Sequence, residues 1–130
     1  MRYLVCLFGG LLIGALIALT GASILRQRDV WPRAVMNVMQ HEITQLRELV
    51  HEGRCTGPEA TAAMVHLELM ASDIEPALMA PGARDPVFSR YATDLRKKLT
   101  AFGSATECPA RSAALTDISN ACEACHRDYK

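Results

Sequence analysis

The sequence has few aromatic residues and no excess of charge of either sign. Only 5% of its 130 residues are aromatic, and 14 basic side chains are balanced by 14 acidic ones. It has no basic stripe of the kind that binds nucleic acid, and Val, Ile and Thr nowhere alternate with polar residues as strands require. A Ser-His-Asp arrangement and a phosphate-binding loop are also missing. We therefore expect no β-sandwich or barrel, no nucleic-acid partner and no enzymatic activity.

Charge is missing altogether from residues 3–25, an apolar run flanked by arginines. Such a run suits a membrane-spanning helix of roughly 20 residues, or a secretory signal peptide, whose apolar core usually has ~7–15. The small residues just before Ser23 form a fair cleavage site. We favour an uncleaved anchor over a cleaved signal for residues 1–25. On either interpretation residues 26–130 are exported to the periplasm, and an uncleaved run holds them at the inner membrane.

The exported part has apolar residues at the alternating three- and four-residue steps of amphipathic helices. Four such stripes are separated by breaks rich in Gly and Pro. The stripes consist of Met36, Met39, Ile43, Leu46 and Val50; of Met64, Leu67, Ala71, Ile74 and Leu78; of Phe88, Ala92, Leu95, Leu99 and Phe102; and of Leu115, Ile118, Cys122 and Cys125. Helices of about twenty residues with short connections pack most simply as an antiparallel bundle. The predicted fold is all-α: an up-down-up-down four-helix bundle preceded by an apolar N-terminal helix.

Proline marks the predicted start of each bundle helix. Pro32 lies in the first turn of the first helix, behind Asp29 as a candidate N-cap, and Pro58, Pro86 and Pro109 open the other three. Proline suits the first turn because its missing N–H has no intrahelical partner there. The sequence therefore predicts that the first bundle helix begins near Asp29.

Two of the five cysteines lie near breaks between helices. In an up-down-up-down bundle the first and third connections lie at the same end, so Cys55 and Cys108 come together. A disulfide is plausible in an exported protein. It would close a loop of about fifty residues, worth roughly 3–4 kcal/mol in the chain-entropy model. Unpaired buried thiols are the alternative.

The chain ends on NACEACHRDYK, in which Cys122 and Cys125 are followed at once by His126. Such a pattern serves as a thiol redox pair, as part of a zinc site, or as the covalent attachment site of haem. A structural zinc ion needs a fourth ligand, and the cysteines of the other end lie a helix length away, roughly 30 Å. A thioredoxin-like pair normally follows a strand, and no strand is predicted here.

Haem attachment fits the pattern best among these three chemistries. It needs two thiols spaced for the two vinyl groups of one porphyrin, and a histidine beside the second thiol that ligates the iron. We therefore expect one covalently bound haem c, bonded to Cys122 and Cys125, with His126 as an iron ligand.

The ending ACEACHRDYK is similar to the C-x-x-C-H-x-x-Y-R/K ending of the cytochrome c′ family, exported four-helix-bundle haem proteins. A weaker match is RAVMNVM, from Arg33 to Met39, which resembles the first-helix segment facing the distal side of the haem. Family members carry there either an apolar residue, which leaves the iron five-coordinate, or a methionine that ligates it. This position corresponds to Met36. The family's arginine usually stands four residues earlier, where this chain has Pro32.

Helix geometry independently favours Met36 as the second axial ligand. It lies about four residues, or ~6 Å, into the first helix, at the end of the bundle where His126 lies. A core methionine is the alternative interpretation of Met36, and Met39 is the substitute ligand. His41, His51 and His66 do not continue the apolar stripes, so we expect them to face water.

A thioether opposite histidine stabilises ferrous iron and suits an electron carrier, whereas an open distal side suits NO or CO binding. We therefore expect a low-spin electron-transfer cytochrome whose partners are redox proteins of the exported compartment. The alternatives are a five-coordinate gas-binding cytochrome and a haem-bearing structural or sensory subunit of a membrane complex. A homodimer is compatible with the sequence, and Lys130 is a candidate for tuning the haem.

Overall fold

The computed structural model describes the backbone of residues 2–129 and the side chains of residues 9–23 and 30–129. Over residues 2–129 the secondary structure is helical, without a strand. The helices are α1 (Arg2–His51), α2 (Pro58–Leu78), α3 (Pro86–Ser104) and α4 (Cys108–Asp128). The prediction of an all-α protein is confirmed.

The chain divides into two compact units between Arg33 and Ala34. In the first unit, the side chains of residues 10–23 are exposed. Among the residues with described side chains, no helix is both long and apolar enough to cross a membrane. Residues 3–8 and 24–25 of the apolar run lie outside those residues, so the membrane anchor stays a prediction.

The predicted helix start at Asp29 is wrong. α1 is continuous from Arg2 to His51, and Pro32 lies inside it rather than in its first turn. The six residues before Pro32 include neither glycine nor proline, so nothing ends the helix ahead of it. The loss of one backbone hydrogen bond at an interior proline bends or weakens a helix without always ending it. In α2, α3 and α4, proline does open the helix, as predicted.

The second unit has one apolar core, to which all four helices contribute. Most of the predicted stripe is buried there: Met39, Ile43, Leu46, Met64, Leu67, Ala71, Ile74, Phe88, Ala92, Leu95, Leu99, Phe102, Leu115 and Ile118. Met36, Cys122 and Cys125 continue the pattern but are only half-buried against this core. These three side chains are partly exposed because they line a cavity.

Cys55 and Cys108 form a disulfide whose Cα atoms are 5.6 Å apart, within the usual range of ~4.4–6.8 Å. The predicted pairing is confirmed. Arg111 closes the same end of the unit. Its guanidinium donates to the carbonyl oxygens of Cys55 and Ala105 and lies 5.3 Å from the ring centroid of Phe102.

Removing this disulfide should destabilise the second unit strongly. The cysteines are 53 residues apart in the chain, and opening a loop of this size costs about 4 kcal/mol in the chain-entropy model. Urea unfolding followed by far-UV circular dichroism should therefore show a lower midpoint for the Cys55→Ser/Cys108→Ser variant and for the reduced unmutated protein. Equal midpoints with and without reductant would contradict the prediction.

Candidate functional site

The Cys-x-x-Cys-His sequence lies in the last two turns of α4. Cys122 and Cys125 are three residues apart, so they share one face of the helix, and both pack against the core from a half-buried position. His126 follows on the exposed side, near the end of the helix at Asp128.

These three side chains line a cavity of about 300 Å³ in the second unit. Met36 and Met39 of α1 line the same cavity. The structure thus brings the four predicted site residues and the substitute ligand together. The rest of the lining is mostly apolar and includes Ile43, Ile74, Leu78, Phe88, Ala92 and Leu95.

The two candidate axial methionines differ in burial. Met39 is 4% exposed and belongs to the core, whereas Met36 is half-buried against it. A core methionine such as Met39 is an ordinary packing residue. Met36 is the more accessible of the two thioethers that line the cavity.

Arg47 lines the cavity and carries a permanent positive charge. Its guanidinium donates to the hydroxyl of Ser119 at 2.8 Å, which joins α1 to α4 one turn before Cys122. Burial raises the pKa of the Cys122 thiol, and the neighbouring Cys125 raises it further, while Arg47 opposes both. Burial likewise raises the pKa of Cys125. Both side chains are therefore protonated thiols near neutral pH.

Two tyrosines that the sequence analysis gave no role also line the cavity. The ring of Tyr129 meets Phe88 edge to face, with centroids 5.1 Å apart, and meets Tyr91 at 6.1 Å. The Tyr129 hydroxyl donates to Asp85 at 2.8 Å, which raises the pKa of Tyr129 to about 12. The Tyr91 hydroxyl donates to Asp128 at 2.6 Å, which raises the pKa of Tyr91. Such pairs, 44 and 37 residues apart, leave no local signal in the sequence.

The other histidines lie outside the cavity lining. His41 and His51 are exposed, as predicted. His66 is exposed too, but its Nδ1 lies 3.0 Å from a carboxylate oxygen of Glu42, a buried acid that the sequence analysis missed. A hydrogen-bonding partner is what a buried carboxylate requires. Lys130 lies outside the described residues.

The donor set of the cavity suits haem iron. Among the residues with described side chains, no three His, Cys, Asp or Glu residues lie close enough to hold a metal ion by themselves. Iron in a porphyrin needs only one or two protein ligands, because the ring supplies the other four. Two thiols, an imidazole and a thioether around an apolar cavity meet that need.

No family model, curated protein or solved structure matches this chain. The resemblance to the cytochrome c′ family thus rests on the quoted residues of this sequence. We infer the function from the side chains of the site.

Proposed function

We propose that this protein is an exported electron-transfer cytochrome c, similar to the cytochrome c′ family, with one haem c bonded to Cys122 and Cys125. One observation carries the proposal: both thiols, the His126 imidazole and the Met36 thioether line a single, mostly apolar cavity. These are the groups that covalent attachment and axial ligation need. Met36 comes from a different helix, so its presence beside the motif is independent of the motif itself.

Each group of the chain has a defined part in holding the cofactor. Cys122 and Cys125 would each add an S–H bond across one vinyl group, with the sulfur bonding to one carbon and the hydrogen to the next, which requires no oxidant. His126 and Met36 would hold the iron. When bound, the haem supplies one-electron transfer between ferric and ferrous iron.

The surrounding side chains tune that chemistry. The soft thioether of Met36 favours ferrous iron over ferric iron. The apolar lining from α1, α2 and α3 would lower the local dielectric around a bound haem, which disfavours the extra positive charge of the ferric state. Both effects would raise the reduction potential of a bound haem.

We also propose that the helices form the antiparallel up-down-up-down bundle expected from the sequence. The disulfide supports this topology, since it links the α1–α2 connection at Cys55 to the start of α4 at Cys108. The hydrogen bond of Tyr129 to Asp85 supports it as well, because it links the end of α4 to the start of α3. In such a bundle the first and third connections share one end.

We further propose that the protein is exported to the periplasm, with residues 1–25 as its signal peptide or membrane anchor. The disulfide supports this location because structural disulfides persist mainly in oxidising compartments. The partners of the cytochrome would then be redox proteins of the same compartment.

The proposal predicts that haem stays on the polypeptide under denaturing conditions. Protein produced together with a haem-attachment system is extracted with acid–acetone and examined by intact mass spectrometry. We expect the mass of the chain plus one haem, because thioether bonds survive conditions that release ligated haem. Complete release of the haem would rule out attachment through Cys122 and Cys125.

A further inference from the structure

The end of α4 and the first turns of α3 are joined by two hydrogen bonds from a tyrosine to an aspartate. In the first bond α4 supplies the tyrosine, and in the second α3 supplies it. Tyr129, the C-cap residue of α4, donates to Asp85, the N-cap residue of α3, at 2.8 Å. In return, Tyr91 of α3 donates to Asp128, the last residue of α4, at 2.6 Å. We call this pair of hydrogen bonds the tyrosine latch.

We propose that the tyrosine latch positions His126, by holding the last turn of α4 so that the imidazole keeps one orientation toward the iron. Tyr91 and Tyr129 are then positioning residues, which act through His126. The inference rests on the proposed function, in which His126 is an iron ligand.

The position of His126 in α4 explains why the tyrosine latch is needed. It lies two residues before the end of α4, where the last carbonyl groups have no intrahelical partner and a helix frays. The His126 side chain is exposed, and no hydrogen bond orients it among the described side chains. The hydrogen bonds that hold this turn therefore restrain the Cα–Cβ direction from which the imidazole would approach the iron.

The Tyr129 half of the latch has a fixed anchor in Asp85. One carboxylate oxygen of Asp85 accepts from the backbone N–H groups of Val87 and Phe88 at 2.9 and 3.0 Å, which leaves the other oxygen for Tyr129. The backbone N–H of Tyr129 also donates to the carbonyl of Cys125 at 2.9 Å. The two restraints bracket the turn that carries Cys125 and His126.

Ring packing adds a second restraint that can be separated from the hydrogen bonds. Tyr129 contacts both Phe88 and Tyr91 through its ring. Exchanging tyrosine for phenylalanine keeps the ring contacts and removes only the hydroxyl. The hydrogen bonds can therefore be tested without opening a cavity in the packing.

The test compares the haem-loaded full chain with Tyr91→Phe, Tyr129→Phe and the double variant. In the uncleaved chain Tyr3→Phe is the matched control, because it makes the same chemical change outside the second unit. In the double variant we expect the backbone amides of residues 124–129 to exchange with solvent about tenfold faster, as loss of two modest hydrogen bonds predicts. Amides near Leu95 in the middle of α3 should be unaffected.

A spectroscopic readout separates positioning from mere stabilisation. In low-spin ferric haem, the paramagnetically shifted resonances of the haem methyl groups depend on the orientation of the axial imidazole. We expect Tyr129→Phe to change this shift pattern and Tyr3→Phe to leave it unchanged. Asp85→Asn keeps an oxygen to cap α3 but presents to Tyr129 an amide N–H, which the tyrosine hydroxyl can accept. We therefore expect a smaller change of the pattern than in Tyr129→Phe.

The outcomes distinguish the latch from the proposed function. Haem retained with an unaltered methyl pattern in the double variant overturns the positioning role and leaves the proposed function standing. Faster exchange without a change in the pattern makes the latch a stabilising contact only, which also overturns the inference. An unmutated protein without covalent haem overturns the proposed function and the positioning role together.

Discussion

Replacing both Cys122 and Cys125 by alanine should give a folded protein that carries no covalently bound haem. The two thiols are the half-buried cysteines of the cavity, whereas Cys55 and Cys108 are already joined in a disulfide and cannot react. Each single variant should keep one thioether bond and therefore still retain haem after acid–acetone extraction. The ratio of haem absorbance to protein, together with intact mass, measures all three cases.

Cys6→Ala is the matched control for this series, since it removes the one cysteine that belongs to neither pair. It should leave haem attachment unchanged. Far-UV circular dichroism should show similar helix content for the double variant, because alanine is a good helix former and the two side chains are only half-buried. Full retention of haem by the double variant would contradict the assigned attachment site.

Replacing Met36 by alanine should leave covalent haem content unchanged while the iron loses its sixth ligand. The iron should become high-spin, and the open side should then bind CO and NO. The reduction potential should fall, by on the order of 100 mV within the ~0.8 V range that axial ligands span, because the thioether no longer stabilises ferrous iron. Visible absorption spectra and potentiometric titration provide the measurements.

Met39→Ala is the internal control for Met36→Ala, because the two residues lie on the same helix and line the same cavity. Met39 is 4% exposed in the core, so its truncation should mainly lower the free energy of unfolding, by roughly 2–5 kcal/mol. If the low-spin spectrum is lost in Met39→Ala but not in Met36→Ala, the ligand is Met39 rather than Met36. An unmutated protein that is already five-coordinate and binds NO rapidly would favour the gas-binding alternative.

Local pattern was enough to predict the helices and most of their buried faces. The three-to-four spacing of Leu67, Ala71 and Ile74, for example, places all three residues in the core. The same reasoning failed at Asp29, because a proline inside a helix and a proline in its first turn look alike in the sequence. The expected up-down-up-down topology led to the prediction that Cys55 pairs with Cys108, and the disulfide confirms the pairing.

The sequence by itself determined the helical class, the buried stripes and the Cys-x-x-Cys-His motif, because helix period and motif spacing are local properties of the chain. The sequence placed Met36 at the same end of the bundle as His126, but only the tertiary structure decided that both side chains line one cavity and that Tyr129 reaches Asp85. Such pairs depend on the rotation and axial register of one helix against another, which many small packing contacts set together. No single residue in the sequence carries that information.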